Sequence, residues 1–85
     1  MKYHIDYSQL IRRLLANIKY YRGAKRITQQ AVASHLGISQ NAYSKIERGI
    51  TELTVNKLCH IALFLEVHLY DVLKVEEVKL SASIK

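Results

Sequence analysis

The apolar residues of this 85-residue chain recur at helical spacing over most of its length. Leu10, Ile11, Leu14, Leu15, Ile18 and Tyr21 form one stripe, and Arg12, Arg13, Lys19 and Arg22 fall largely outside it. The pattern predicts a first helix over about 8–24, opened by Ser8, whose hydroxyl can accept an early backbone N–H. Gly23 costs about 1 kcal/mol in a helix interior and so marks the fraying end. Thr28 caps a second helix over about 28–35, with Ala31, Val32 and Leu36 turned inward. Gly37 stops it, because a left-handed backbone strains any residue that carries a Cβ. Ser39 caps a third helix that turns Ala42, Tyr43 and Ile46 inward and ends at Gly49. Thr54 caps a fourth, where Val55, Leu58, Ile61, Ala62 and Leu65 make the most regular stripe of the chain. Val67, Leu69, Val72 and Leu73 predict a short fifth helix over about 68–74.

The two ends read differently. Residues 1–7 have no period and form a lead-in. In the tail, residues 75–85, Val78, Leu80, Ala82 and Ile84 alternate with Lys79, Ser81, Ser83 and Lys85. That is the period of a half-buried strand. A lone strand has nothing to pair with, so the tail is either frayed or paired with a second copy of the chain. The expectation is one all-α domain over 1–85, with its helical part at 8–74.

Composition refines this picture. With 49% apolar and 24% charged residues the chain has the balance of a folded domain. The net charge of +6 is uneven: residues 1–48 hold nine lysines and arginines against two acids, and residues 49–85 hold four against five. A basic half beside a near-neutral half reads either as a polyanion-binding face or as solvated charge. Cys59 has no second cysteine to pair with; in the run LCHIALFL it reads as a small buried hydrophobe, which fits a reducing cytoplasm. Neither a signal peptide nor a membrane span is expected. His4, His35, His60 and His68 lack ligand-like spacing with one another or with Cys59, whereas zinc needs about four clustered ligands. No nucleophile–base pairing and no phosphate-cradling glycine loop is visible, so neither enzymatic activity, nor a metal, nor a cofactor is expected.

The segment TQQAVASHLGISQNAYSKIERG places two short helices about three residues apart with a glycine in the turn. That is the layout of a helix-turn-helix spanning about 28–48. Gly37 supplies the tight turn, Ala33 lets the helices approach closely, and Ile38 and Ile46 fix their angle from beneath. Gln29, Ala33, Gly37, Ser39, Ile46, Glu47 and Gly49 stand in register with this pattern, and LTVNKLCHIALFLEVHLYDVL follows. On these residues the stretch from about 18 to 73 resembles the Cro/C1-type helix-turn-helix family, also called the XRE family, which includes phage repressors.

The resemblance implies a compact five-helix, lambda-repressor-like DNA-binding domain that presents the third helix to the major groove. It implies that Gln29 and nearby N–H groups hold a phosphate, a task that also suits a helix N-terminus. It further implies that Gln40 and Asn41 read bases; their amides donate and accept at once and match the N7/N6 edge of adenine. Ser44 and Lys45 lie one turn on and can reach further bases or phosphates. Thr28, Ser39 and Arg48 complete the expected phosphate-binding set. Lys25 and Arg26, in the loop before the second helix, are phosphate candidates or solvated loop charges. Arg22 and Glu47 match a family pair that forms a buried salt bridge. Tyr43 departs from the usual Ile, Val or Thr; its ring is expected at the core edge with the hydroxyl turned to a phosphate. Leu53 replaces a family proline, and no arginine follows Gly49 closely.

The function expected is sequence-specific binding of double-stranded DNA by a homodimeric transcriptional regulator, a repressor, on two half-sites roughly 34 Å apart. The candidate dimer surfaces are the fifth helix with the tail, and the first turns of the first helix. Two alternatives remain open: an antitoxin that controls its own operon and binds a toxin protein, and a protein-interaction module that has lost contact with DNA.

Overall fold

Three hydroxyl side chains set where the middle helices begin. Thr28 Oγ1 accepts from the Ala31 N–H at 3.0 Å, Ser39 Oγ from the Ala42 N–H at 3.0 Å, and Thr54 Oγ1 from the Lys57 N–H at 3.1 Å. Each bond satisfies a donor that the helix itself cannot pair. The structure, a computed structural model, describes residues 7–74. Among them are five helices: α1 (Tyr7–Ala24), α2 (Gln29–Leu36), α3 (Gln40–Glu47), α4 (Val55–Leu65) and α5 (Leu69–Leu73). Because α1 begins at Tyr7, Ser8 lies in its first turn rather than at its cap. The tail, expected to be either frayed or paired as a strand with a second copy, lies outside the described residues, as does most of the lead-in.

The helix ends share one device. Arg26, Gly37, Gly49 and Glu66 are left-handed, with φ of 58°, 74°, 80° and 59°. In each case the N–H of that residue donates three residues back, and the next N–H donates five residues back. This is the Schellman arrangement, which satisfies two orphan carbonyls and brings an apolar residue against the helix just ended. The residues that follow are Ile27, Ile38, Ile50 and Val67. α1 ends at Ala24, one residue after Gly23, as expected, and Arg26 takes the left-handed position.

Burial follows the stripes over most of the chain, with exceptions at the start of α1, on one flank of α4 and at Leu69 and Leu73 of α5. Ile18, Val32, Ala33, Tyr43, Ile61, Leu65 and Val72 are buried, with Leu15, Leu58 and Ala62 around them. A fully buried side chain of this size stabilises by about 1.5–3 kcal/mol. Leu10 and Ile11, at the start of the α1 stripe, are exposed. Val55 is 75% exposed, and Cys59 is exposed rather than buried. The reason is angular. Leu58, Ile61, Ala62 and Leu65 occupy the sector of α4 that faces the core, while Val55, Cys59 and Leu63, spaced four apart, lie on its flank.

Helix α1 packs on α3, α4 and α5, while α2 packs on both α3 and α4. The His35 ring stacks on Phe64 with centroids 4.5 Å apart and joins α2 to α4. Tyr21 is half-buried against the core, and the exposed Tyr20 meets it edge-on at 5.2 Å. Helix α5 is a single turn held by a side chain that the periodicity did not single out. Asn17 Nδ2 donates to the carbonyls of Val72 and Lys74, both at 2.9 Å.

Left-handed residues with a Cβ carry strain of about 1–2 kcal/mol, partly offset by the entropy a glycine would lose. Glu66→Gly is therefore expected to raise stability by about 0.5–1 kcal/mol. Gly37→Ala, where an added Cβ meets nothing within 4 Å, should lower it by about 1–2 kcal/mol. Urea titrations of both variants measure the two signs.

Candidate nucleic-acid interface

The last residue of α3, Glu47, is the one buried charged residue among those described. Its carboxylate is filled from three helices. Arg22 of α1 donates from Nε to Oε2 at 2.8 Å and from Nη2 to Oε1 at 3.1 Å. Gln29, the first residue of α2, donates from Nε2 to Oε1 at 2.8 Å. Tyr43, one turn earlier in α3, donates its hydroxyl to Oε2 at 2.9 Å. Each carboxylate oxygen thus accepts two bonds, which matches its lone pairs. Arg22 Nη1 also donates to the Ile27 carbonyl at 3.0 Å and ties the α1–α2 loop to the same group. No buried side-chain nitrogen or oxygen among the described residues lacks a partner.

The electrostatics follow from this packing. Burial alone would push the Glu47 carboxyl up, but bonds from Arg22, Gln29 and Tyr43, with the Arg22 charge, hold it below the ordinary glutamate value. The hydrogen bond to Glu47 raises Arg22 against its own partial desolvation. Burial and then the Glu47 charge push the Tyr43 phenol up, so it stays a neutral donor.

Two sequence expectations change here. Tyr43 is 0% exposed and its hydroxyl is spent on Glu47, so it is an internal strut rather than a phosphate ligand. Gln29 is half-buried and uses one amide hydrogen on Glu47, a link that the spacing of the residues did not predict. The side-chain amide keeps a second N–H.

The remaining candidates divide into two sets. On α3, Gln40, Asn41, Lys45 and Arg48 are exposed; Asn41, Lys45 and Arg48 lie on the side opposite Tyr43, Ile46 and Glu47, and Gln40 is the first residue of the helix. Ser44 is half-buried between them, and its Oγ accepts from Arg48 Nε at 3.3 Å. The side chains of Gln40, Asn41 and Lys45 make no hydrogen bond among the described residues. Thr28 and Ser39, both exposed caps, flank this surface at the N-termini of α2 and α3. Since Glu47 is neutralised internally, the exposed charges of α3 and its C-cap are Lys45 and Arg48, both positive. Lys25 and Arg26 sit in the loop before α2. Lys25 Nζ donates to the Glu66 carbonyl at 3.2 Å, directing it toward the end of α4. Arg26 is exposed.

The side chains of Arg22 and Glu47 are 15% and 3% exposed, so losing one partner strands a nearly buried charge. Glu47→Gln is expected to cost about 3–5 kcal/mol at neutral pH, and Tyr43→Phe about 1 kcal/mol. The Glu47 contribution is present above the ordinary glutamate value near 4.5 and decays as pH falls through the lower folded value. Wild-type stability should lose this component below about pH 4.5, and Glu47→Gln should lack it. Chemical denaturation across pH 3–7 checks both statements.

Comparison with known proteins places this architecture. No curated protein sequence matches the chain. Among solved structures, a hypothetical transcription factor, NHTF, from Neisseria is similar at a TM-score of 0.70 and 23% identity, over 96% of this chain and 95% of that one. It shares the fold. The sequence profile of the helix-turn-helix family matches residues 18–72, from the second half of α1 to α5, including the Arg22–Glu47 pair and the whole of α2, α3 and α4. The chain belongs to the Cro/C1-type helix-turn-helix family, the XRE family.

Proposed function

We propose that this protein binds double-stranded DNA sequence-specifically, as a homodimeric transcriptional repressor, with α3 in the major groove. The observation that carries the reading is the state of Gln40 and Asn41. Two exposed amides without internal partners stand at the start of a helix whose exposed charges are all basic. Free amides at that position can make the paired donor–acceptor contact that distinguishes adenine. Family membership supports the DNA partner, and the Neisseria protein, described as a hypothetical transcription factor, supports the regulatory role.

Division of labour follows from exposure. Gln40, Asn41 and Lys45 read bases, with Ser44 positioned by Arg48. The N-termini of α2 and α3, with Thr28, the free amide hydrogen of Gln29 and Ser39, take phosphates on either side of the groove. Arg48 and Arg26 add charge along the same face. The Glu47 junction keeps Gln29 and α3 in a fixed relation, so phosphate contacts set the register of the base contacts. Occupying a promoter then blocks transcription.

Two measurements test this. Binding to random duplex should weaken with salt at a log–log slope near −0.9 per phosphate contacted. On the duplex recovered by selection from a random pool, Gln40→Ala should cost about 1–3 kcal/mol, and on random duplex almost nothing. Equal losses on both duplexes would refute base reading by Gln40, and salt-independent binding would refute the DNA partner.

A further inference from the structure

Helix α1 carries basic residues that the core does not use. Arg12 is exposed and makes no hydrogen bond or ion pair among the described residues. It precedes residues 18–72, the segment that the family profile covers. Lys19, also exposed, follows about two turns later on the same flank of α1. Arg22, the next residue along that edge, enters the Glu47 junction beside Gln29. This flank is therefore the one turned toward α2 and α3, whereas Asn17 marks the flank turned toward α5.

The fold brings Arg12 to the C-terminal end of α3. A Cβ placed on Gly49 would meet Leu15 Cδ1 at 3.4 Å, so the two elements touch there. Arg12 and Arg48 line one depression of about 340 Å³, together with Ser8, Ile11, Leu15 and Gly49. None of these residues is acidic. Ile11 and Leu15 give it an apolar wall, the kind of surface along which arginine stems rest while their heads stay in water. Arg48 spends Nε on Ser44 Oγ at 3.3 Å, which leaves its two terminal nitrogens for another acceptor. Arg12 keeps all five donors.

Two cations beside one depression repel each other, and an anion between them reverses the sign of that interaction. A cleft lined by one sign of charge, with low-dielectric walls, also concentrates its field. The planar guanidinium fork matches the paired oxygens of a phosphate.

We infer that Arg12 and Arg48 together seat one phosphate of the DNA backbone beside the C-terminal end of α3. The inference rests on the DNA reading of the proposed function and extends the contact surface to α1. Arg48 belongs both to the outward side of α3 and to the depression, so the phosphate is one of the duplex that α3 enters. The N-termini of α2 and α3 take phosphates near Gln40 and Asn41, and this seat takes one at the other end of the helix. Two separated anchors fix the tilt of α3 as well as its position.

Fluorescence anisotropy across a salt series, on the selected and on random duplex, tests the seat in the full chain. The variants are Arg12→Gln, Arg48→Gln, their combination and Lys74→Gln. All three positions are exposed, so helical circular dichroism should match the wild type. Each arginine substitution is expected to weaken binding about threefold to tenfold, alike on both duplexes, because a phosphate carries no sequence. The combination should lower the log–log salt slope by about 0.9, the share of one phosphate. Lys74→Gln removes the same charge beside α5 and should leave the slope unchanged. A fall of about 1.8 would give each arginine its own phosphate and overturn the shared seat. Wild-type affinity in Arg12→Gln overturns it, and so does a loss confined to the selected duplex. An equal effect from Lys74→Gln reduces Arg12 to net charge and overturns it as well. In all these cases the selective loss of Gln40→Ala persists and the DNA reading stands. A wild-type chain that binds neither duplex overturns both.

Discussion

The buried carboxylate of Glu47 is the constraint on which the arrangement of α1, α2 and α3 depends. A charge that deep persists only when its oxygens are satisfied. Here the donors come from Arg22, Gln29 and Tyr43, one on each of the three helices. Displacing any one of them leaves a lone pair in a place that water reaches poorly. Hydrophobic packing tolerates sliding better than such a junction does. The apolar core supplies most of the stabilisation, and the carboxylate selects one relation among the helices.

This junction also separates inside from outside along α3. Tyr43 and Glu47 lie one turn apart and meet in the network, which turns Asn41, Lys45 and Arg48 to the opposite side and leaves Gln40 exposed at the first position of the helix. It removes the single negative charge of α3 from the surface, so the positive charge of Lys45 and Arg48 is not cancelled there. Fold stability and the electrostatics of the candidate DNA surface therefore share one cause.

The repeated helix ending plays a comparable part at the loops. Each left-handed residue turns the chain sharply, and at Arg26, Gly37 and Glu66 the next apolar residue packs against the core. Two glycines adopt this backbone without strain; Arg26 and Glu66 adopt it under tertiary constraint, with the Glu66 carbonyl taken by Lys25. Ile50 departs from the pattern by facing outward beside an apolar cleft.

The amino-acid sequence by itself determined the five helices, because caps at Thr28, Ser39 and Thr54 and apolar spacing are local properties set by backbone geometry. It also determined the family, through the register of residues 18–72. It left Val55, Cys59, Leu10 and Ile11 on the wrong side of the surface, since a stripe shows which way a helix faces but not how far its neighbours extend over it. Arg26 and Glu66 at left-handed positions, and Asn17 as the clamp on α5, have no local signature. The use of Tyr43 and Gln29 by Glu47 was decided only in three dimensions. A hydroxyl or amide in the sequence is an unspent donor, and only the packed structure shows which acceptor, buried or in solvent, lies within its reach.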